Sequence, residues 1–355
     1  MVKIVMNILN SHLYNTDINR EINTLPVEKM PHDITILVTG STGLICSSVV
    51  DVLELLSINN KFSWKIIIAA RNIESAHIRF QKYEIYNNIS YFEYDLLETE
   101  IFPLGIDYII HGAGNAYPAL YSKKPVETLT SSITGLENVL RYSKDNKTRV
   151  LYVSSSEVYG LLQNKEPIKE NEYGYVDILN PRSSYSNGKR AAETLCSSYI
   201  SEYETDCVIV RPGHIYGPTA NIKDNRVSSA FMFDAAKGND IVMKSKGEQL
   251  RSYCYCLDCA SAIITCLFFG KTGEAYNISN KNSICTIKEM AEFFAKIGNV
   301  SLSFNIPSDK EKQAFNPMLN SSLNSEKIEA LGWNSSFSKE EGFEHSILIC
   351  RELIL

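Results

Sequence analysis

Tyr185 and Lys189 stand four residues apart in Tyr185-Ser186-Asn187-Gly188-Lys189, a spacing that puts both on one face of a helix. An ammonium beside a phenol stabilises its anion and draws it down from an ordinary pKa of about 10. Upstream, a short apolar run ends in Ser154-Ser155-Ser156-Glu157-Val158-Tyr159-Gly160. A strand-end hydroxyl that hydrogen-bonds the same substrate oxygen completes a device for proton transfer at a carbinol or carbonyl. That chemistry is coupled to hydride transfer, so a nicotinamide is expected nearby.

The sequence offers a place for it. Ile34, Ile36, Leu37 and Val38 lead into Thr39-Gly40-Ser41-Thr42-Gly43-Leu44-Ile45-Cys46, a helix-like stretch to Leu56, and a second apolar run from Trp64 to Ala70. This is a βαβ pattern, and at its first turn glycines let the backbone approach a pyrophosphate at a helix N-terminus. Gly40 and Gly43 fill the first two fingerprint positions, and Cys46, a small residue, the third. Gly40, Ser41, Thr42, Gly43, Leu44 and Ile45 are the expected contacts. A plain structural turn would carry the same glycines; the place after the first strand favours the dinucleotide. The second strand ends in Arg71, where an acidic residue would read the ribose hydroxyl of NAD. A guanidinium suits a 2′-phosphate, so NADP(H) is favoured and NAD(H) is the alternative, although a solvated strand-end arginine would look the same. Asp95, followed by Leu96, is placed for the adenine. His111-Gly112-Ala113-Gly114 ends the fourth strand, with Ala113 against the cofactor and His111 read as structural.

The elements that must carry these groups alternate. Apolar runs recur at Ile89 to Tyr94, Tyr108 to His111, Val150 to Val153 and Cys207 to Val210, separated by helix-length stretches such as Val126 to Tyr142 and Tyr185 to Tyr203. Such alternation implies a parallel sheet with helices on both faces. Residues 1–32 are polar and Asn-rich and read as an N-terminal extension with one helix; 33–212 read as the dinucleotide-binding domain. The remainder, 213–355, reads mainly as a smaller substrate-binding lobe, with helix candidates at Ser229 to Lys237, Asp258 to Phe268 and Ile287 to Ile297.

Composition sets bounds. With 44% hydrophobic and 21% charged residues in 355, the disordered, collagen-like and coiled-coil classes are excluded. A net charge of −6 with scattered cations argues against a nucleic-acid partner. No apolar run is long enough to span a bilayer, and the start lacks a leader pattern, so a cytoplasmic location is expected. Nine cysteines, an odd number, imply reduced thiols. Cys254, Cys256 and Cys259 have metal-site spacing, but no matching cluster follows, so no metal is expected.

From about Ile34 to Ile347 the sequence resembles the extended short-chain dehydrogenase/reductases that modify nucleotide sugars, the epimerase/dehydratase group. The motifs are TGSTGLI from Thr39, DYIIHGAG, SSSEVYG, YSNGK, RPGHIYGP from Arg211, LRSYCYCLD from Leu250, and SSLNSEKIEALGW. The resemblance implies a Rossmann-type doubly wound α/β fold with a smaller C-terminal lobe, and a homodimer. It implies Ser155 as the catalytic hydroxyl, Tyr185 as acid/base, and Lys189 as its activator and ribose ligand, with Gly213 beside the cofactor. Arg251 matches the position that holds the substrate pyrophosphate, a role suited to a bidentate guanidinium, though a surface ion pair is the plainer alternative. Ser156 and His214 are further substrate positions, His214 standing where many relatives have Asn.

The departures narrow the reaction. Dehydratases of the group follow the hydroxyl residue with Asp and Glu; here the run is Ser155-Ser156-Glu157, which disfavours dehydration. The Ser-Glu pair and GKRAAETLC from Gly188 look like the UDP-glucuronate decarboxylases, but those recycle NAD and usually carry an acid where Arg71 stands. The leading expectation is therefore an NADPH-dependent reductase of a 4-keto nucleotide sugar, such as dTDP-4-dehydro-6-deoxyglucose, in O-antigen or capsule biosynthesis. The alternative is an internal-redox C4 epimerase or UDP-glucuronate decarboxylase with Glu157 assisting. A non-catalytic NADP-binding sensor is a minor alternative, disfavoured because Ser155, Tyr185 and Lys189 are all retained.

Overall fold

The structure is a computed structural model and describes residues 7–116, 121, 123–163, 166–306 and 318–354. Its centre is a seven-stranded, wholly parallel sheet in the order β10-β6-β5-β4-β1-β2-β3. The strands are β1 (Asp33–Thr39), β2 (Ser63–Ala70), β3 (Ile89–Glu93), β4 (Tyr108–His111), β5 (Arg149–Val153), β6 (Cys207–Pro212) and β10 (Ala275–Ile278). Among the described residues the helices are α1 (His12–Ile22), α2 (Leu44–Asn60), α3 (Ile73–Phe80), α4 (Pro125–Asn146), α5 (Ser184–Tyr203), α6 (Val227–Lys237), α7 (Cys256–Phe269), α8 (Ile287–Gly298), α9 (Glu326–Glu329) and α10 (Lys339–Ile354).

Side chains of β1 alternate between two cores, as a strand of period two must. Ile36 and Val38 join α2 and α7 on one face, while Leu37 joins α4 and α5 on the other. Both faces are thus covered, which is why the strands read as almost continuous apolar runs. The strand order reverses between β4 and β1, and the crevice at such a switch point is where ligands of doubly wound sheets lie.

The second half of the chain does two things. It returns α7 and β10 to the large sheet, and it builds smaller sheets above the strand ends. In these, β9 (Leu250–Tyr255) pairs with β7 (His214–Tyr216), β11 (Ile284–Thr286) and β13 (Asn320–Ser321), and β8 (Ile241–Met243) pairs with β12 (Leu302–Phe304). A capping box from Thr286 and Glu289 starts α8.

In the N-terminal region, residues 1–6 lie outside the described residues, and α1 packs into the fold. Tyr14, Ile18 and Ile22, at four-residue spacing on α1, are buried against α2, α7 and α10. Two polar groups of α1 pair with other elements. Tyr14 donates to Asp51 Oδ2 at 2.7 Å, and Asp17 accepts from Tyr255 at 3.1 Å and sits 3.0 Å from His345 Nδ1.

Candidate active site

The turn after β1 is shaped by a steric demand. Gly40 has φ +69°, and a Cβ there would lie 2.8 Å from the Gly112 carbonyl oxygen and the Ala113 nitrogen. Only glycine lets the ends of β1 and β4 meet. Gly43 donates to the Gly40 carbonyl at 2.9 Å, and buried Ser41 donates to the Ala69 carbonyl at 3.0 Å, tying the turn to β2; Thr42 is exposed. Gly43 supplies no side-chain cap to α2, so the first N–H groups of the helix, at Leu44 and Ile45, begin an uncapped positive end. Cys46 works in the third position because Gly112 opposite has no side chain: a Cβ there would overlap the Cys46 sulfur. Burial pushes that thiol up to about 12, so it is filler rather than nucleophile.

The neighbouring strand ends complete a cradle. Thr39 Oγ1 bridges His111 Nδ1 at 3.0 Å and the Ala113 N–H at 3.2 Å, and burial lowers His111 to about 3, keeping it neutral. Arg71 is exposed directly after β2. Asp95 Oδ1 accepts from the Leu97 N–H at 2.8 Å, closing its own turn, and Leu96 lies against Gly135 of α4. The glycine-lined approach and the uncapped helix end fit a dinucleotide pyrophosphate.

Across the crevice, β5 and α5 bring the proton-transfer groups together. Ser155 heads a short turn, accepting from the Glu157 N–H at 3.2 Å, and stands close enough to the Tyr185 phenol to lower it. Burial holds that phenol up at about 12, opposed chiefly by Ser155, while Glu157 raises it and Arg226 lowers it more weakly. The Lys189 ammonium donates to the Val153 carbonyl at 2.7 Å, and burial lowers it to about 8, with Glu193 opposing.

Glu157 is not a lone acid. Arg182 grips it in a two-armed pair, 3.1 Å from Oε1 and 3.3 Å from Oε2, with both side chains largely shielded. Arg182 precedes α5 in the turn that Asn180 and Pro181 set. The two line a cleft of about 550 Å³ with Ser183, Ser186, Lys244, Lys246, Gln249 and Met318 among its other walls.

Three expected substrate contacts stand differently. Arg251 is 3% exposed and donates to the carbonyls of Leu250 and Met318, both at 2.9 Å, so two of its arms hold main chain. Ser156 is buried and is not among the residues lining the cleft. His214, its ring edge-on to Tyr253, is kept neutral by burial at about 3, and its Nδ1 has no partner among the described residues. Gly213 donates to the Ile278 carbonyl at 3.0 Å, and its close surroundings leave little room for a side chain.

Sequence reasoning missed Arg182, Tyr121, Glu193 and the Asp224–Arg226 pair. Glu193 accepts from Ser154 at 2.5 Å and from Arg211 at 2.6 Å, bracing the end of β5 from behind. One turn beyond Lys189 on the same helix, it was open to the spacing argument already used for Tyr185.

A glycine-lined strand-end cradle facing a Ser-Tyr-Lys group across the switch point of a parallel sheet is the layout of the short-chain dehydrogenase/reductase fold. The chain belongs to the NAD-dependent epimerase/dehydratase family, whose sequence profile matches residues 36–279, and is a nucleotide-sugar-modifying enzyme of that family. It is 31% identical over 315 residues to UDP-glucuronic acid decarboxylase 3 of Arabidopsis thaliana, covering 87% of each chain. It is 28% identical to UDP-glucuronic acid decarboxylase 1 of Xenopus tropicalis, covering 88% of this chain and 71% of that one. Among solved structures it resembles the UDP-glucuronic acid 4-epimerase of Bacillus cereus in complex with UDP-glucuronic acid and NAD. That match has a TM-score of 0.77 and 21% identity, covering 90% of this chain and all of that one. Among the described residues, no helix is long and apolar enough to cross a membrane, and no His, Cys, Asp and Glu cluster is suited to a metal ion.

Proposed function

We propose that the chain decarboxylates a nucleoside-diphosphate hexuronate, UDP-glucuronic acid or a close relative, by internal redox with a retained NAD. The observation that carries this reading is the Arg182–Glu157 pair in the cleft beside Tyr185. A reductase of a 6-deoxy sugar has no use for a forked cation there, whereas a C6 carboxylate does. The decarboxylase relatives support the same choice.

Gly40 to Ile45, Ala113 and Lys189 would hold the cofactor, which when bound supplies a hydride acceptor and donor at sugar C4. Ser155 and Tyr185 stand side by side and would take the C4 oxygen between them, Tyr185 accepting the hydroxyl proton. Arg182 would hold the carboxylate. With C4 at the ketone level, departure of CO2 leaves its electron pair spread onto the C4 oxygen, which Ser155 and Tyr185 stabilise by donation. Glu157, freed as Arg182 turns to the substrate, is placed to assist proton delivery to C5.

The test is direct: incubate the protein with UDP-glucuronic acid without added reductant, measuring CO2 and the pentose product, and denature a second sample to identify any released dinucleotide. CO2 with tightly held NAD is the expected result. The 4-keto sugar reductase is the second reading, and exposed Arg71 is what favours it. No CO2, cofactor-free protein and NADPH-dependent reduction of a 4-keto nucleotide sugar would establish it instead.

A further inference from the structure

Tyr121 lies just before α4 and is 2% exposed. Its ring is stacked on that of Tyr185, with centroids 5.1 Å apart and planes at 17°. The Arg182 guanidinium lies over the Tyr121 ring at 5.6 Å from its centroid, so cation, first ring and second ring form a row anchored by the Glu157 carboxylate. The Tyr121 hydroxyl is 3.5 Å from Arg182 Nη2, at the outer limit of a hydrogen bond. The close contacts of Tyr121 are therefore made by the face of its ring.

Tyr185 needs such a contact. It sits in the first turn of α5, and its phenol must stay on Ser155 to serve any substrate. A flat ring against a flat ring fixes its plane, and a buried ring keeps water from the reacting oxygen. We propose that Tyr121 is a positioning residue, whose ring holds the plane of Tyr185 and shields its phenol. This rests on Tyr185 being the acid/base of the proposed reaction, but the stack can be read without any turnover. The charged and titratable groups facing this pair are Glu157 from the turn after β5, Arg182 before α5, and Arg226 before α6.

Two variants test it in the full chain, Tyr121→Phe and Tyr121→Leu, each with two readouts. The first readout is kcat against KM. Phenylalanine keeps the stack, so kcat should stay within about twofold; leucine loses it, and kcat should fall at least about tenfold while KM moves less than about threefold. The second readout is the ultraviolet titration of tyrosinate. With the shield gone, water reaches Tyr185 and its phenol should drop back toward about 10, adding one tyrosinate below about pH 11. That added tyrosinate should vanish when Tyr185→Phe is combined with Tyr121→Leu. If the leucine variant titrates like the natural protein, or keeps its kcat, the proposal is overturned. A phenylalanine variant with kcat down tenfold or more would overturn it too, by putting the work on the hydroxyl. That variant is isosteric and keeps the test alive if leucine does not fold. Absence of turnover on every hexuronate would sink the decarboxylase reading alone, since the titration still reports on the stack.

Discussion

Lys189 donates its ammonium to the main-chain carbonyl of Val153 at 2.7 Å, at the point where β5 ends and the Ser155 turn begins. The residue that would hold the cofactor ribose thus also pins the strand end that presents the catalytic hydroxyl. Because burial brings this ammonium down to about 8, it carries its charge below that pH and loses it above. Affinity for NAD, titrated between about pH 6.5 and 9.5, should therefore weaken as pH rises through about 8. Lys189→Met should bind NAD weakly across the range with that inflection gone, and should lower kcat by about a hundredfold or more.

Arg182→Gln removes the fork from the cleft. A charge-assisted pair is worth roughly 1.5–3 kcal/mol, so KM for UDP-glucuronic acid should rise by about ten- to a hundredfold. Binding of the decarboxylated product, measured by calorimetry, should change little. Arg182→Lys should recover only part of the loss, because an ammonium cannot bind a carboxylate with two parallel arms. Equal losses for substrate and product would remove Arg182 from the carboxylate.

Away from the cleft, Glu54 is buried on α2, takes one hydrogen bond of 2.7 Å from Asn88, and is raised by burial to about 8. An acid whose folded pKa lies above its unfolded value leaves the fold undisturbed below about 4.3, costs it stability progressively as pH climbs from there to about 8, and adds no further cost above. Glu54→Gln should accordingly raise Tm most at pH 8 and above, with the gain shrinking to nothing near pH 4. A constant gain across that range would mean the carboxyl is neutral for another reason.

His345 on α10 faces Asp17 on α1, and Asp17 raises it. A histidine raised in the folded state stabilises the fold fully below its ordinary value of about 6.5, and that help is lost as pH rises through the folded value. Chemical unfolding at pH 5.5 and 8.5 should show this slope, and Asp17→Asn should flatten it. The variant should be less stable mainly at the lower pH.

How much of this was open to a reader of the chain varied with the range of the interaction. Five of the first six strands of the large sheet were legible because strands buried on both faces become short apolar runs, and the edge strand Ile89–Glu93 was legible from its aromatic and β-branched residues. The Ser155, Tyr185 and Lys189 group was legible because helix spacing and a strand end place it almost locally. The return of β10 and α7 to that sheet was not, since nothing local in Ala275–Ile278 says which neighbour it will pair with. Nor was the pairing of Arg182 with Glu157, which depends on where the Asn180–Pro181 turn aims a side chain. Tyr14, Ile18 and Ile22 did carry a signal, a four-residue period, but Asn and Asp between them masked it.

The helix α1 touches α2, α7 and α10, so the first of the described helices is completed by the last. During synthesis α2 can cover part of the face of Tyr14, Ile18 and Ile22, but the contacts of α1 with α10, Asp17 with His345 among them, must wait until that helix has been made. Contacts spanning almost the whole sequence form slowly, and a stripe left partly bare for so long is a natural ligand for chaperones. The corner that holds α1 is completed only once α10 exists, and a fault in either helix will be felt at the other.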